Sequence, residues 1–152
     1  MSRRLPLYKG RERPTNLVLQ LRETFVALND LVLVRLAERG HEHVRPAHGA
    51  VFQFLDDTGT TVSVLAERAQ MTKQAMAELV GHLETHGYLQ RVPDPTDRRA
   101  KLVLATDRGR EVFAIAQGLV PEVEARVESI IGADRMAALS SDLDAIRSEV
   151  AR

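Results

Sequence analysis

Apolar positions recur at helical spacing over most of the chain, interrupted once by a short stretch with the character of strands. From Thr15 to about Arg39, Leu17, Leu21, Phe25, Leu28, Leu31, Val32 and Leu36 predict a long helix. Val18 and Val34 widen its apolar band beyond what one small neighbour covers. Pro46 opens a second helix with Ala47, Ala50, Val51, Phe54 and Leu55 on one face, closed by a turn from Asp56 to Thr60 that contains Gly59. Ser63 is the expected cap of a short third helix burying Leu65, Ala66 and Ala69. Thr72 caps the next, with Met76, Leu79, Val80 and Leu83 inward and Lys73, Gln74, Ala77, Glu78, Gly81 and His82 on the opposite face. Gly87 is placed to end that helix with positive φ, after which Tyr88 to Val92 and Lys101 to Ala105 read as paired strands. Between them, Pro93 and Pro95 predict that pairing stops and that the segment from Pro93 to Ala100 is a loop with a basic tip. Thr106 and Asp107 then cap a helix through Val112, Ile115, Leu119, Val123, Val127 and Ile130, with a kink expected at Pro121. A last helix from Asp134 carries Met136, Leu139, Leu143, Ile146 and Val150, a narrow seam suited to packing on other helices.

Two short helices, a turn and a hairpin with a basic tip, in the order running from Val62 to Ala105, make a winged helix-turn-helix. The expected fold class is therefore mainly α with a small β-hairpin wing (α+β): one domain over residues 15–152, with a winged lobe at 46–105 and flanking helices at 15–40 and 106–152. Residues 1–14, with Arg3, Arg4, Lys9, Arg11 and Arg13 broken by Pro6, Gly10 and Pro14, read as a flexible basic arm. Double-stranded DNA is the expected partner. The first turns of a recognition helix meet base edges, which selects Thr72, Lys73, Gln74 and Ala77. Gln74 can donate and accept at once, as adenine requires, Lys73 can reach guanine or phosphate, and the Ala77 methyl suits thymine. Met76 follows the apolar stripe and belongs to the core. On the wing, an exposed arginine fits the negative potential of a narrow minor groove, and Arg98, Arg99 and Lys101 supply the charge, with Arg91 on the flank.

The segments LAERAQMTKQAM, LVGHLETHGYLQR and DPTDRRAKLVLATDRGRE resemble the MarR-type (multiple antibiotic resistance regulator) family of bacterial transcription factors, in that family's order and spacing. The likeness is strong over Val62 to Glu111, and in the flanks only the helix pattern agrees. Gln70 departs from it by standing where the family often has glycine, so the turn is expected to hold a non-glycine residue in an unfavourable backbone conformation. The resemblance implies that Arg99 enters the minor groove while Asp97 orients it. It implies a homodimer formed through the helices at Leu17 to Arg39 and Glu111 to Val150, hence a palindromic site, and repression relieved by a small molecule, often an aromatic anion. The place for that effector is the end of the first helix and the start of the second, where Arg39, His41, His43, Arg45 and His48 form a cationic cluster.

Net charge is zero, which argues against a protein that coats nucleic acid indiscriminately. The distribution says more. Arg91, Arg98, Arg99, Lys101, Arg108 and Arg110 outnumber Asp94, Asp97 and Asp107, whereas the chain from Glu111 onward is acidic on balance. The absence of cysteine removes disulfides, thiolate zinc sites and the thiol-based peroxide sensing known in one branch of the resembling family. With no apolar run long enough to span a bilayer and no signal peptide, a cytoplasmic protein without membrane partners is expected. No nucleophile elbow, phosphate-cradling loop or zinc-protease motif is present, so neither catalysis nor a cofactor is expected. Two alternatives stand beside the DNA-binding reading. The histidine-rich loop suggests a metal-responsive regulator, although its spacing matches no defined metal motif and no metal site is assigned. A winged domain that binds protein instead of DNA is the other, because the fold alone does not fix the partner.

Overall fold

The computed structural model describes residues 15–151, so the basic arm at 1–14 lies outside the described residues. Its elements are α1 (Leu17–Glu38), a single 3-10 turn (Pro46–His48), α2 (Gly49–Phe54), α3 (Val62–Arg68), α4 (Lys73–Thr85), β1 (Leu89–Asp94), β2 (Asp97–Ala105), α5 (Asp107–Ile131) and α6 (Ala133–Val150). Side-chain caps set most of the helix starts. Asn16, Thr72 and Thr106 each accept an amide of the opening turn, from Leu19, Ala75 and Gly109 respectively. The cap of α3 is Thr61, which accepts from the Val64 amide, and Ser63 is an exposed residue inside the helix. The expected cap at Ser63 was thus two residues late; Thr61 takes the position because its extended backbone follows directly from the pairing of Thr60 with β2.

The helix ends share one device. After α1, α3 and α4, the residue past the cap has positive φ and two amides turn back onto the last carbonyls: Gly40 and His41, Gln70 and Met71, Gly87 and Tyr88. Gly40 (φ 87°) and Gly87 (φ 78°) adopt this geometry freely, whereas Gln70 adopts it at φ 53° despite its Cβ. The strain expected from the sequence at the turn of the helix-turn-helix is therefore present.

The core lies inside the lobe. Val51 of α2, Leu65 and Ala66 of α3, Met76, Val80 and Leu83 of α4, and Tyr88, Leu89 and Val103 of the hairpin enclose it, and Leu36 from α1 and Val112, Ile115 and Leu119 from α5 close it from the side. The strands are antiparallel, with Leu89 opposite Ala105 and Val92 opposite Leu102. Pairing continues through Pro93, opposite Lys101, and Asp94, opposite Asp97, so only Pro95 and Thr96 form the turn. The prolines had predicted an end to pairing. In a two-stranded ribbon both strands are edges, where a missing donor is tolerated, and a register shift beside Pro93 lets Arg98, Arg99 and Ala100 bulge. Thr60 adds a single-residue bridge to Val103, exchanging both backbone hydrogen bonds at 3.0 and 2.9 Å.

Outside the lobe the picture changes. On α1, Leu17, Val18, Phe25 and Val34 are 56–74% exposed, and on α6 no residue is buried. The helix α5 joins the two regions: Val112 and Ile115 in its first half are buried, and Ile130 near its end is 70% exposed. No helix among the described residues is long and apolar enough to cross a membrane.

Candidate nucleic-acid interface

The recognition helix is held by its inner face. Met76, Val80 and Leu83 are completely buried, which leaves Thr72, Lys73 and Gln74 exposed at its start and Ala77 half-exposed one turn further on. The Thr72 hydroxyl serves as the cap, so Lys73 and Gln74 are the free polar side chains of the first turn.

The wing is built by its carboxylates. Asp94 accepts both the amide and the hydroxyl of Thr96, at 2.8 and 2.7 Å, and these bonds hold its carboxyl below the usual range. Asp97 accepts the backbone amide of Arg99 at 2.9 Å. Both are side-chain turns of the Asx type. Asp97 therefore shapes the chain at Arg99, while its carboxylate makes no ion pair with that guanidinium. Among the described residues, no carboxylate lies within ion-pair distance of Arg98, Arg99 or Lys101, all of which are exposed. The acids of the wing are used in folding its tip, and its cations stay uncompensated.

The other cations of this stretch have local partners. Arg91 donates to Glu84 of the recognition helix at 2.8 Å, bracing the wing against α4. Arg110 bonds the Ala105 carbonyl and Asp107. Arg108 lies over the Tyr88 ring, 4.7 Å from its centroid, and donates to the Tyr88 hydroxyl and the Gly40 carbonyl. The positive surface read from the sequence thus narrows to Arg98, Arg99 and Lys101 on the wing and Lys73 on the helix.

The cluster at the end of α1 is dispersed. Arg45 lines a cavity of about 350 Å³ between α1, α2 and α5. Arg39 borders a separate depression with Ala114, Ile115, Gly118 and Leu119. His41 is buried with its ring 5.7 Å from that of Tyr88 and its Nε2 3.6 Å from a Glu111 carboxylate oxygen. His48 is also buried, and burial lowers its pKa to about 4. It stacks on His82 (4.8 Å between centroids), His82 lies 4.4 Å from His86, and His86 stacks on His43 (4.0 Å). His82, expected on the outer face of the recognition helix, is turned partly inward toward His48. Among the described residues, no three histidine or carboxylate groups converge on a point that could hold a metal ion. No local pattern in the chain reports this contact, because residues 41–48 and 82–86 meet only through tertiary packing.

A recognition helix with a free polar first turn, a buried inner face and an adjoining cationic hairpin define a winged helix-turn-helix protein. Residues 44–100 match the MarR family. Its sequence is 32% identical over 74 residues to the transcriptional activatory protein BadR of Rhodopseudomonas palustris, a match covering 49% of this chain and 41% of that protein. The chain thus spans less than half of that relative's length. Over its whole fold it is similar to the transcriptional regulator SlyA, with a TM-score of 0.71, 18% identity and coverage of 90% of this chain and 94% of that one. It is likewise similar to the transcriptional repressor CouR, solved bound to a 23-mer DNA duplex, with a TM-score of 0.67, 26% identity and coverage of 86% and 92%. By name, all three relatives are transcription regulators.

Proposed function

We propose that the protein is a sequence-specific DNA-binding regulator that acts as a homodimer on a palindromic site. The observation that carries this reading is the wing. Its two aspartates are engaged by the tip's own backbone and Thr96, leaving Arg98, Arg99 and Lys101 unpaired beside the exposed Lys73 and Gln74. Arg99 enters the minor groove, Arg98 and Lys101 hold the flanking phosphates, and Gln74 reads a base edge in the major groove. The DNA-bound form of the similar CouR supports the same use of the fold. The exposed apolar residues of α1 and α6 supply the dimer interface, and a two-fold pair of readers spaced by one helical turn selects a palindrome.

In this reading the regulator is a repressor released by a small molecule, and the effector site is the cavity that Arg45 borders. Its walls are apolar, from Val32, Leu36, Phe52 and Val112, with Asn29 and Gln117 as polar groups, a lining suited to an aromatic anion. The cavity contacts both the long helices and the lobe, so a ligand that prefers one spacing of the readers releases or retains DNA.

Selection of the purified protein against a random duplex pool, followed by affinity for the enriched sequence at several salt concentrations, tests the DNA reading. A palindromic winner whose binding falls steeply with salt is the expected result. No enrichment above background would overturn it and favour a protein partner.

A further inference from the structure

All five histidines of the chain lie where the connector between α1 and α2 meets α4 or the hairpin, and four of them are stacked in one column. His43 and His48 come from the connector, and His82 and His86 from the last turns of α4. A metal ion is held by lone pairs in the plane of an imidazole, whereas these rings meet face to face or tilted, so the column is not a chelate.

Hydrogen bonds fix where a proton can be added. The Arg45 amide donates to His48 Nδ1 at 2.9 Å, so that nitrogen is the bare one of the neutral ring. Protonating His48 places hydrogen on the atom that accepts this bond, and the clasp on the 3-10 turn is lost. The His86 Nδ1 stands 2.8 Å from the His82 carbonyl and donates to it, leaving Nε2 to take up a proton. His82 Nδ1 is buried without a hydrogen-bond partner.

The charges around the column do little to favour a cation. Arg45 of the connector repels a proton on His48 and on His82. Glu42 stands 3.8 Å from His43 Nε2, at the exposed end of the stack. On α4, Glu84 is engaged by Arg91. From α5, Arg108 reaches Tyr88 and Glu111 approaches His41, both beside the column and outside it.

We propose that the column formed by His43, His86, His82 and His48 is a proton-operated latch between the recognition helix and the connector that joins the lobe to α1. With neutral rings the stack and the Arg45 clasp hold the end of α4 in place. Acidification adds charge to adjacent rings, breaks the clasp and frees the end of the helix. His48 shifts from about 4 in the closed form to the ordinary 6.5 when released, so the closed-to-open ratio falls about tenfold between pH 7.5 and 5.5.

The test uses the full chain labelled with 15N-histidine, following the ring nitrogens by NMR from pH 8 to 4.5. Amide exchange over residues 82–88 is read alongside it, corrected for its intrinsic pH dependence. The expected result is that His48 and His82 remain neutral through the ordinary histidine range and that exchange of this segment rises about tenfold by pH 5.5. His48→Asn retains an acceptor for the Arg45 amide without titrating and should remove most of that rise. His82→Phe retains a ring in the stack and serves if the first variant does not fold. Protonation of His48 and His82 independently near 6.5, or the same rise in either folded variant, would overturn the latch. The consequence for DNA rests on the reading proposed above: affinity for the enriched duplex should fall with pH more in the native chain than in the variants. Failure to bind any duplex would count against that reading alone, since NMR and exchange report on the latch without DNA.

Discussion

The winged lobe and the long helices outside it use apolar residues in opposite ways. In the lobe, Val51, Leu65, Met76, Val80, Leu83 and Tyr88 have no measurable exposure, while on α6 Leu139, Leu143 and Ile146 are 39–45% exposed within a single chain. Burying an aliphatic side chain contributes about 1.5–3 kcal/mol, so the lobe accounts for its own packing and the outer helices do not. What they lack is a second surface. One region is organised by contacts inside the chain, and the other leaves apolar area uncovered within it, the area that the homodimer proposed above would bury.

The contrast can be broken first at its deepest point. Leu83→Ala should cost about 2–5 kcal/mol in urea unfolding, because its site is closed on every side. Leu143→Glu with Ile146→Glu should leave the lobe's fold unchanged and convert the proposed dimer to monomer, read by light scattering at micromolar concentration. Equal loss of folding in both variants would show that α6 belongs to the lobe's core after all.

The surface of the lobe gives the next effect. Arg99→Ala should weaken binding to all duplexes by about 1–3 kcal/mol, the scale of a lost charged hydrogen-bond contact. Gln74→Ala should instead relax preference at one position per half-site by about 1–3 kcal/mol, read from a mismatch series. Unchanged affinity in the first variant would remove the wing from the interface.

A third effect depends on pH. His48 has its folded pKa depressed to about 4 from 6.5, so the fold favours the neutral ring. Stability is complete above about pH 6.5 and declines as pH falls toward 4, with about 2 kcal/mol lost between pH 8 and 5. Urea unfolding of the native chain and of His48→Asn across that range should diverge on the acid side and converge above neutrality.

The smallest effect is expected at the turn between α3 and α4. Gln70→Gly relieves a positive φ and adds freedom to the unfolded chain, so it should stabilise by about 1 kcal/mol or less. A destabilised variant would mean that the Gln70 side chain makes up for its backbone conformation.

How much was legible follows from how local each cause is. The inner stripe of α4, its cap at Thr72 and the positive φ at Gly87 depend on neighbours within one or two turns, and the sequence displays them. So does Gln70, because a turn that tolerates glycine best reports its own strain. The pairing of Thr60 with Val103 involves one residue on each side and leaves no periodic trace, and for the same reason the cap moved from Ser63 to Thr61. Asp97 was visible as part of the wing, but that it holds the amide of Arg99 is a matter of turn geometry. The histidine column needed two segments some forty residues apart to be brought face to face, and no local rule reports that.

The packing of Tyr88 sets a condition on transplanting the lobe. Its ring lies under Arg108, its hydroxyl accepts from the same guanidinium, and its carbonyl stands 2.1 Å from where a Cβ on Gly109 would lie. A chimera that exchanges residues 44–100 with those of a relative carries position 88 with the graft and leaves Arg108 and Gly109 behind in the recipient. Such a graft keeps the contact with Arg108 only if the donor brings a phenol to position 88, or if the first turn of α5 travels with it.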